Sequence, residues 1–354
     1  MVVEMSWLSF SIRYLVNVED LNNVESAGNY IRHRRAPVIF RDNNSYVISY
    51  VPAISGEMIA HGYQWELAEI ATKSGLKVDA LARQGVFIKR GAGDNVHVGS
   101  NCEDKDGADY ELCVIEEDVV EDVAGFMNPS KLAKRVSNIA FSYMIPSLDS
   151  VKSVGITSEF HVRYVTKELI DQQSLFNVEV ASASYVLTGY LNVDGIGCTQ
   201  TLKCAEKEGC YTLCIDDNKQ KEKSNDNERE KRILSSLDAL NLTLTQFLFG
   251  AKQSRFKPII DIEAVALSLS EKPFNLLPIT LENGKIDDYI NFTKSTIDSF
   301  AGSLGIEKPI LTFYAQDKLM SSIKGESKKD PVEPFKEMKE AVKKKLEEKS
   351  MEGH

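Results

Sequence analysis

The sequence contains no apolar run approaching the ~18 residues that a membrane-spanning helix requires. Its first ten residues, MVVEMSWLSF, carry no basic stretch ahead of the apolar ones, so no secretory signal is read there and a cytoplasmic location is expected. No Walker loop, H-E-x-x-H pattern or catalytic pairing of carboxylates supports the common hydrolytic chemistries. Positive charge is not in excess either. Lys and Arg number 42 against 52 Asp and Glu, a net charge of −10, and this argues against indiscriminate polyanion binding. The six cysteines lack close C-x-x-C pairs. Cys198, Cys204, Cys210 and Cys214 are separated by five, five and three residues, so free thiols are the favoured reading, with zinc and disulfides as alternatives. No cofactor, metal or catalytic group is expected. Hydrophobic residues at 43% and charged residues at 27% fit an ordinary soluble globular chain, and 354 residues make one large domain or two smaller ones.

Against that acidic background, one stretch reverses sign. Between Asn29 and Arg41 stand Arg32, His33, Arg34, Arg35 and Arg41 without a single acid, and Ser55-Gly56 follows at an expected helix start. Arginines can grip phosphates bidentately, and a helix start presents free N–H groups to an anion. RNA binding is therefore the leading reading, against a solvated basic loop for the arginines and a plain N-cap for Ser55. Two further acid-free windows point the same way: 123–148, with Lys131, Lys134 and Arg135, and GAKQSRFKP, with Lys252, Arg255 and Lys257. Either could instead be a solvated face. Phe126 and Met127 could wedge against a displaced base or pack in a core. His61 sits one turn into the expected helix, where a satisfied, partly buried histidine is the usual explanation, and His161 shares the polar face of a strand with Arg163, where it could contact sugar or phosphate.

Hydrophobic periodicity gives the framework. Leu8, Phe10, Ile12, Tyr14 and Val16 alternate as a half-buried first strand ending near Asn17. Residues 36–51 read as a hairpin turning at Asp42, Asn43 and Asn44. Ile59, Tyr63, Leu67 and Ile70 mark a helix from Ser55-Gly56 to Ser74-Gly75. Residues 77–153 look like a loop-rich insertion. Alternation returns at ITSEFHVRYVT and at 176–191, a polar insertion spans 192–229 with a charged run expected to be a mobile loop, and Ile233, Leu237, Leu240, Leu244 and Phe247 form a second helix before a strand over 259–269. Strand, helix, strand, strand, helix, strand is the ferredoxin-like order, with two helices on one face of one sheet. A helix over 287–304, a strand PILTFYA and a charged tail helix complete the chain. The expected division is a palm over 1–320, interrupted by the two insertions, and a tail over 321–354.

The segments NVESAGNYIRHRRAPV, VPAISGEMIAHGYQ, AGFMNPSKLAKR with SYMIP, FHVRY, FNVEVASASY and GAKQSRFKP together resemble the DevR-like autoregulator family. These are the RNA-binding backbone subunits of CRISPR type I surveillance complexes, most like the archaeal subtype I-A form. The similarity covers roughly residues 8–270 in matching order. Ala124 and Ala251 stand where members often have a second glycine, and the cysteine insertion and charged tail lie outside the pattern.

The resemblance implies an α+β fold, a ferredoxin-like (RNA-recognition-motif-like) palm with insertions forming finger and thumb regions. It implies a non-catalytic subunit that stacks head to tail along the guide RNA (crRNA) and holds its backbone, so that the bases pair with target DNA. Implied partners are the guide-processing endonuclease, the small and large effector subunits and the helicase-nuclease, with no membrane. Expected RNA contacts are Asn17, Ser26, Asn29, Arg32, His33, Arg34, Arg35, Ser55, Gly56, His61, Lys131, Lys134, Arg135, His161, Lys252 and Arg255. The enzymatic alternative is an RNA-processing endonuclease of the same superfamily using His161 or His61.

Overall fold

The computed structural model describes residues 6–27, 30–91, 97, 100–163, 174–205, 209–215, 227–251, 253–254 and 256–352. The chain enters through β1 (Trp7–Glu19), where Leu8, Phe10, Ile12, Tyr14 and Val16 alternate along the strand and are fully buried. β2 (Asn23–Ala27) and β3 (Tyr30–His33) follow, then a hairpin of β4 (Arg35–Asp42) and β5 (Ser45–Pro52). Its turn, Asn43-Asn44, places Asn43 at φ 52°, a left-handed conformation that Asn tolerates and two-residue hairpins demand. Helix α1 (Gly56–Lys73) begins at Ser55, whose hydroxyl accepts the Met58 N–H at 3.3 Å.

The span 77–153 is less loop-like than its sequence pattern implies. It holds α2 (Gly107–Glu117), α3 (Val119–Ala124), a hairpin of β6 (Phe126–Asn128) and β7 (Ala133–Arg135), and the short strands β8 (Ile139–Phe141) and β9 (Ile145–Pro146). Val119, Val120, Val123, Ile139 and Met144 join the main core. Apart from α2 with its 11 residues, these elements hold two to six residues each, too few to register as periodicity, which is why they read as loop.

Next come β10 (Gly155–Arg163) and β11 (Ser174–Asn192), the small hairpin β12 (Lys203–Ala205) and β13 (Gly209–Tyr211), α4 (Glu228–Gln246) and β14 (Ile259–Ser270). Then follow α5 (Asp287–Leu304), β15 (Ile310–Ala315) and α6 (Glu333–Glu352). Most of the charged run, residues 216–226, lies outside the described residues, and its end opens α4.

The protein is mixed α+β, and its central sheet combines antiparallel pairs with one parallel pair, β11 with β3. Across its middle the order is β15-β14-β1-β11, with Leu8 opposite both Leu191 and Leu269. The long strand β11 changes neighbours along its length. Its second half lies between β1 and the fragments β8 and β9, whereas its first half runs between β10 and β3. The strand over 155–163 thus extends the sheet along the first half of β11.

Helices α1 and α4 cover one face with Ile59, Tyr63, Leu67 and Ala71 and with Ile233, Leu237, Leu240 and Leu244. The Tyr14 hydroxyl donates to the Leu244 carbonyl at 2.8 Å, and Tyr63 to that of Ser236 at 3.2 Å. Phe335, Met338 and Val342 of α6 dock into the same core.

The opposite face is covered as well. Ser9, Ser11 and Arg13 are buried, because α5 and the segment around Ile279 pack there through Phe274, Leu276, Ile290 and Ile297. Arg13 is reconciled with burial by Glu263 at 2.9 Å and Asp149 at 2.8 Å. β1 is therefore buried on both sides, and the sheet carries helices on both faces.

The six cysteines form three disulfides, Cys102–Cys113, Cys198–Cys214 and Cys204–Cys210, which corrects the reading as free thiols. Register explains two of them. Cys204 faces Cys210 across β12 and β13, and Cys198 bridges to Cys214, with Cα separations of 4.0 and 4.1 Å.

Candidate nucleic-acid interface

The site starts from a bulge at the end of β1. The register against β11 slips between Val16 and Glu19, and Val18 adopts φ 54°, a conformation costly for a β-branched residue. Its N–H is held by Ser182 Oγ at 3.0 Å. Beyond the bulge Glu19 is fully buried, where it receives the Tyr185 hydroxyl at 2.7 Å and the Leu21 N–H at 2.9 Å.

His33 Nε2 lies 2.6 Å from the Glu19 carboxylate, and its Nδ1 lies 2.8 Å from the Arg34 carbonyl. Both ring nitrogens face acceptors, so the imidazolium fits the pocket best. Burial alone would lower the His33 pKa, but the Glu19 bond and charge, the Arg34 carbonyl and Asp20 together raise it above the ordinary histidine value. The side chain is enclosed. His33 thus anchors the loop from within, a correction to its expected role as an RNA contact.

The residues after Glu19 tie four segments together. The Asn22 side-chain oxygen accepts the Ser55 N–H at 2.9 Å, its carbonyl accepts the Arg34 N–H at 2.8 Å, and the Leu21 carbonyl accepts the Ala251 N–H at 2.9 Å. Ala53 donates to the Arg34 carbonyl at 2.9 Å, and Ile54 and Met144 exchange backbone bonds at 2.9 Å. Arg34 Nη1 reaches the Tyr143 hydroxyl at 3.3 Å.

A second node sits on β11. The Glu179 carboxylate accepts the Tyr30 hydroxyl at 2.7 Å, the His33 N–H at 3.0 Å and Arg35 Nη2 at 2.9 Å. Burial would raise the Glu179 pKa, yet these three donors hold it below the usual carboxylate range. The Tyr30 oxygen also lies 3.0 Å from Ser158 on β10, and the exposed Arg32 guanidinium lies 5.6 Å over the Tyr30 ring. On the same hairpin His161 stacks on Phe176 at 5.1 Å and meets Phe256 edge-on at 5.5 Å. Phe256 belongs to the GAKQSRFKP segment, whose Ala251 is bonded to Leu21.

Four of the six sequence segments singled out above therefore meet around Glu19, Leu21, Asn22 and Glu179, and FHVRY joins them through His161 against Phe176 and Phe256. They leave Arg32 and Arg35 exposed and Arg34 half-buried at one strand junction. Asn17, half-buried, pairs with Ile259 beside the bulge. Ser26 pairs with Ile31, but its side chain, like Asn29, Lys252 and Arg255, lies outside the described residues.

Ser55 and Gly56 do not form an open anion site. The Ser55 hydroxyl closes its own helix and is buried, and a Cβ on Gly56 would stand 2.3 Å from the Phe141 carbonyl. Glycine is there so that the helix start can approach β8. His61 is exposed, edge-on to Phe87 at 5.1 Å.

The remaining segment is split: its SYMIP part reaches Arg34 and Ile54 through Tyr143 and Met144, whereas β6 and β7 belong to a different unit. Arg135 is fully buried and uses Nε, Nη1 and Nη2 on the Asp122 carbonyl and carboxylate, Glu111, and the carbonyls of Cys198 and Gly195. A guanidinium has five N–H donors, and five acceptors surround this one. It has none left for a phosphate, which corrects its expected role. Asp122 in turn pairs with the buried Arg232. Lys131 bonds the Glu103 carbonyl and sits 3.8 Å from Asp106, while Lys134 is exposed. Phe126 is buried and Met127 exposed.

The partners that order the arginines, namely Glu19, Asn22, Tyr30, Tyr143 and Glu179, were missed by sequence reasoning. The acid pair Glu19-Asp20 just ahead of the basic stretch was the available signal. The metal-ligand grouping found among the described residues is Cys102, Cys113 and Glu117, and both cysteines are disulfide-bonded.

Comparison with known proteins agrees with this architecture. Residues 10–294 match the model of the family described as CRISPR-associated negative auto-regulator DevR/Csa2. The chain is 58% identical over 322 residues to the CRISPR-associated protein Cas7/Csa2 1 of Saccharolobus solfataricus, covering 89% of this chain and 94% of that one. It is 36% identical over 303 residues to the CRISPR-associated aCascade subunit Cas7/Csa2 2 of the same organism, covering 84% and 88%. Chains from two solved structures, described as a CRISPR RNA-guided surveillance complex and its pre-nicking state, share the fold at TM-scores of 0.50 and 0.51. Their identities are 8% and 9%, and each alignment covers 95% of this chain and 99% of the other. No helix of the described residues is long and apolar enough to cross a membrane. The chain belongs to the CRISPR-associated DevR/Csa2 family of Cas7-type subunits.

Proposed function

We propose that this protein is a non-catalytic, cytoplasmic backbone subunit that holds guide RNA by its phosphates. Copies assemble head to tail along the RNA within a type I-A effector that directs antiviral targeting of DNA through the guide. The guide-processing endonuclease, the small and large subunits and the helicase-nuclease are its partners in that assembly. The order β14-β1-β11-β8/β9, with α1 and α4 on one face, supports reading the centre as a ferredoxin-like palm. The first half of β11 with β10 is the thumb, and the 77–153 region the finger.

The observation that carries the proposal is the meeting of four segments at Glu19, Leu21, Asn22 and Glu179, which brings Arg32, Arg34 and Arg35 to one junction. Glu179 pre-orients Arg35, and Tyr30 supports Arg32, so their guanidiniums are partly ordered before a phosphate arrives. Asn17, Ser26, Asn29, Lys252 and Arg255 are assigned further contacts to the RNA backbone in this reading.

The test is binding of sequence-unrelated RNAs against salt. Affinity should be similar across sequences and fall steeply with salt, and Arg34→Ala should weaken all RNAs alike and flatten the salt slope by about 0.7. A loss confined to one sequence would contradict backbone tracking. The endonuclease alternative rests on His161, whose ring is flanked by Phe176 and Phe256 and lies 3.8 Å from Glu159. Cleavage of repeat RNA that disappears in His161→Ala would establish that alternative instead.

A further inference from the structure

The β4–β5 hairpin presents two unlike faces. Val38 and Val51 point inward against Val151, with Phe40 and Ile145 beside them. On the outer face the register sets Pro37 opposite Tyr50, Ile39 opposite Ile48 and Arg41 opposite Tyr46. Burial alternates accordingly. Ile39, Tyr46, Ile48 and Tyr50 are 61%, 76%, 63% and 69% exposed, a concentration of large apolar side chains on one two-stranded surface.

We propose that this face is a stacking platform for unpaired bases of the nucleic-acid strand whose phosphates are held at Arg32, Arg34 and Arg35. The inference rests on the backbone-holding role above and adds a base-contacting surface to it. Three observations favour a nucleic acid over a second copy of the chain as occupant. β4 begins at Arg35, so the platform is continuous with the arginine junction. Arg35 and Arg41, both exposed and without an acid between them in the strand, border it and complement a polyanion. Both tyrosines offer a flat ring with a polar tip, the side-chain type on which bases stack without sequence preference.

Tyr46 and Tyr50 are four residues apart on one strand, about 13 Å. They would therefore meet two separate bases of one strand and not clamp a single one between them. Arg41, directly across from Tyr46, lies within reach of the phosphate beside the first base.

The experiment uses the full chain with a guide-length single-stranded RNA carrying 2-aminopurine at successive positions. It compares wild type, Tyr46→Ala/Tyr50→Ala and Tyr46→Phe/Tyr50→Phe. Stacking predicts quenched 2-aminopurine in the wild-type complex. The alanine pair should bind about tenfold or more weaker at fixed salt, with quenching lost and the salt slope unchanged, and the phenylalanine pair should restore both. Because the rings are exposed, all three should melt alike. An alanine pair with wild-type affinity and quenching overturns the platform. If that pair instead loses RNA-free self-association by light scattering, the face belongs to a second copy and the proposal is likewise overturned. A wild-type chain that binds RNA in an Arg34-dependent way while the alanine pair behaves normally sinks the platform alone; a wild-type chain that binds no RNA sinks the backbone role with it.

Discussion

Replacing Arg135 with alanine separates the sequence pattern from the folded chain most sharply. From its acid-free window the residue reads as a phosphate ligand, yet in the fold it is enclosed between Glu111 and Asp122. Asp122 also holds Arg232 at 3.1 Å and the Gly197 N–H at 3.0 Å, while Glu111 accepts the N–H groups of Gln200 and Thr201 at 2.8 Å each. The network joins α2, α3, α4, β7 and the segment leading to β12. Removing the guanidinium leaves two buried carboxylates with one cation fewer, a defect that costs about 3–5 kcal/mol. For a chain of 354 residues that corresponds to a fall in Tm of about 4–7 °C. Differential scanning calorimetry reads the loss, and RNA affinity normalised to folded protein should stay at the wild-type level. Arg34→Ala should do the reverse, weakening RNA with little change in Tm. An Arg135→Ala protein that melts like wild type and fails to bind RNA would refute the reasoning.

Three further outcomes are expected. His33 has its folded pKa raised, so its stabilisation is complete below about 6.5, the unfolded value, and fades as pH rises through the folded value. Wild-type Tm should thus drop between mildly acidic and alkaline buffer by more than that of His33→Gln, and parallel profiles would remove the Glu19–His33 pair from the account. Gly56→Ala should destabilise by about 1–3 kcal/mol, because its Cβ meets the Phe141 carbonyl at 2.3 Å; a neutral result in thermal melts would show that the helix start has slack. The disulfides close loops of 11, 16 and 6 residues and should contribute about 2–3 kcal/mol each by loop entropy. Thiol titration in denaturant should find none before reduction, reduction should lower the Tm, and free thiols in the untreated protein would contradict the pairing.

The long elements were legible because their periodicity is strong. α5 spans Asp287–Leu304 as its apolar spacing indicates, and the β4–β5 turn falls at the Asn43-Asn44 expected for it. Short pieces escaped: β8 and β9, which pair with the second half of β11, read as loop, since two or three residues carry no period. The buried second face of β1 was hidden by Ser9, Ser11 and Arg13, polar residues whose partners, Ile279, Glu263 and Asp149, lie more than 130 positions away.

In the interface the sequence identified the segments that meet but not which side chains face outward. An arginine reads the same in a window whether it faces solvent or a buried carboxylate, and the acids that separate Arg135 from Arg34 come from other elements. The cysteines failed for a related reason. Spacing along the chain argued against zinc, but pairing is set by hairpin register across β12 and β13.

The most direct test of the central claim is size-exclusion chromatography with light scattering on the purified chain, with and without guide-length RNA, at low and high salt. The account expects a large RNA-containing assembly at low salt that dissolves as salt rises, and Arg32→Ala/Arg34→Ala should fail to form it while remaining folded. A monomer that ignores RNA under every condition would contradict it.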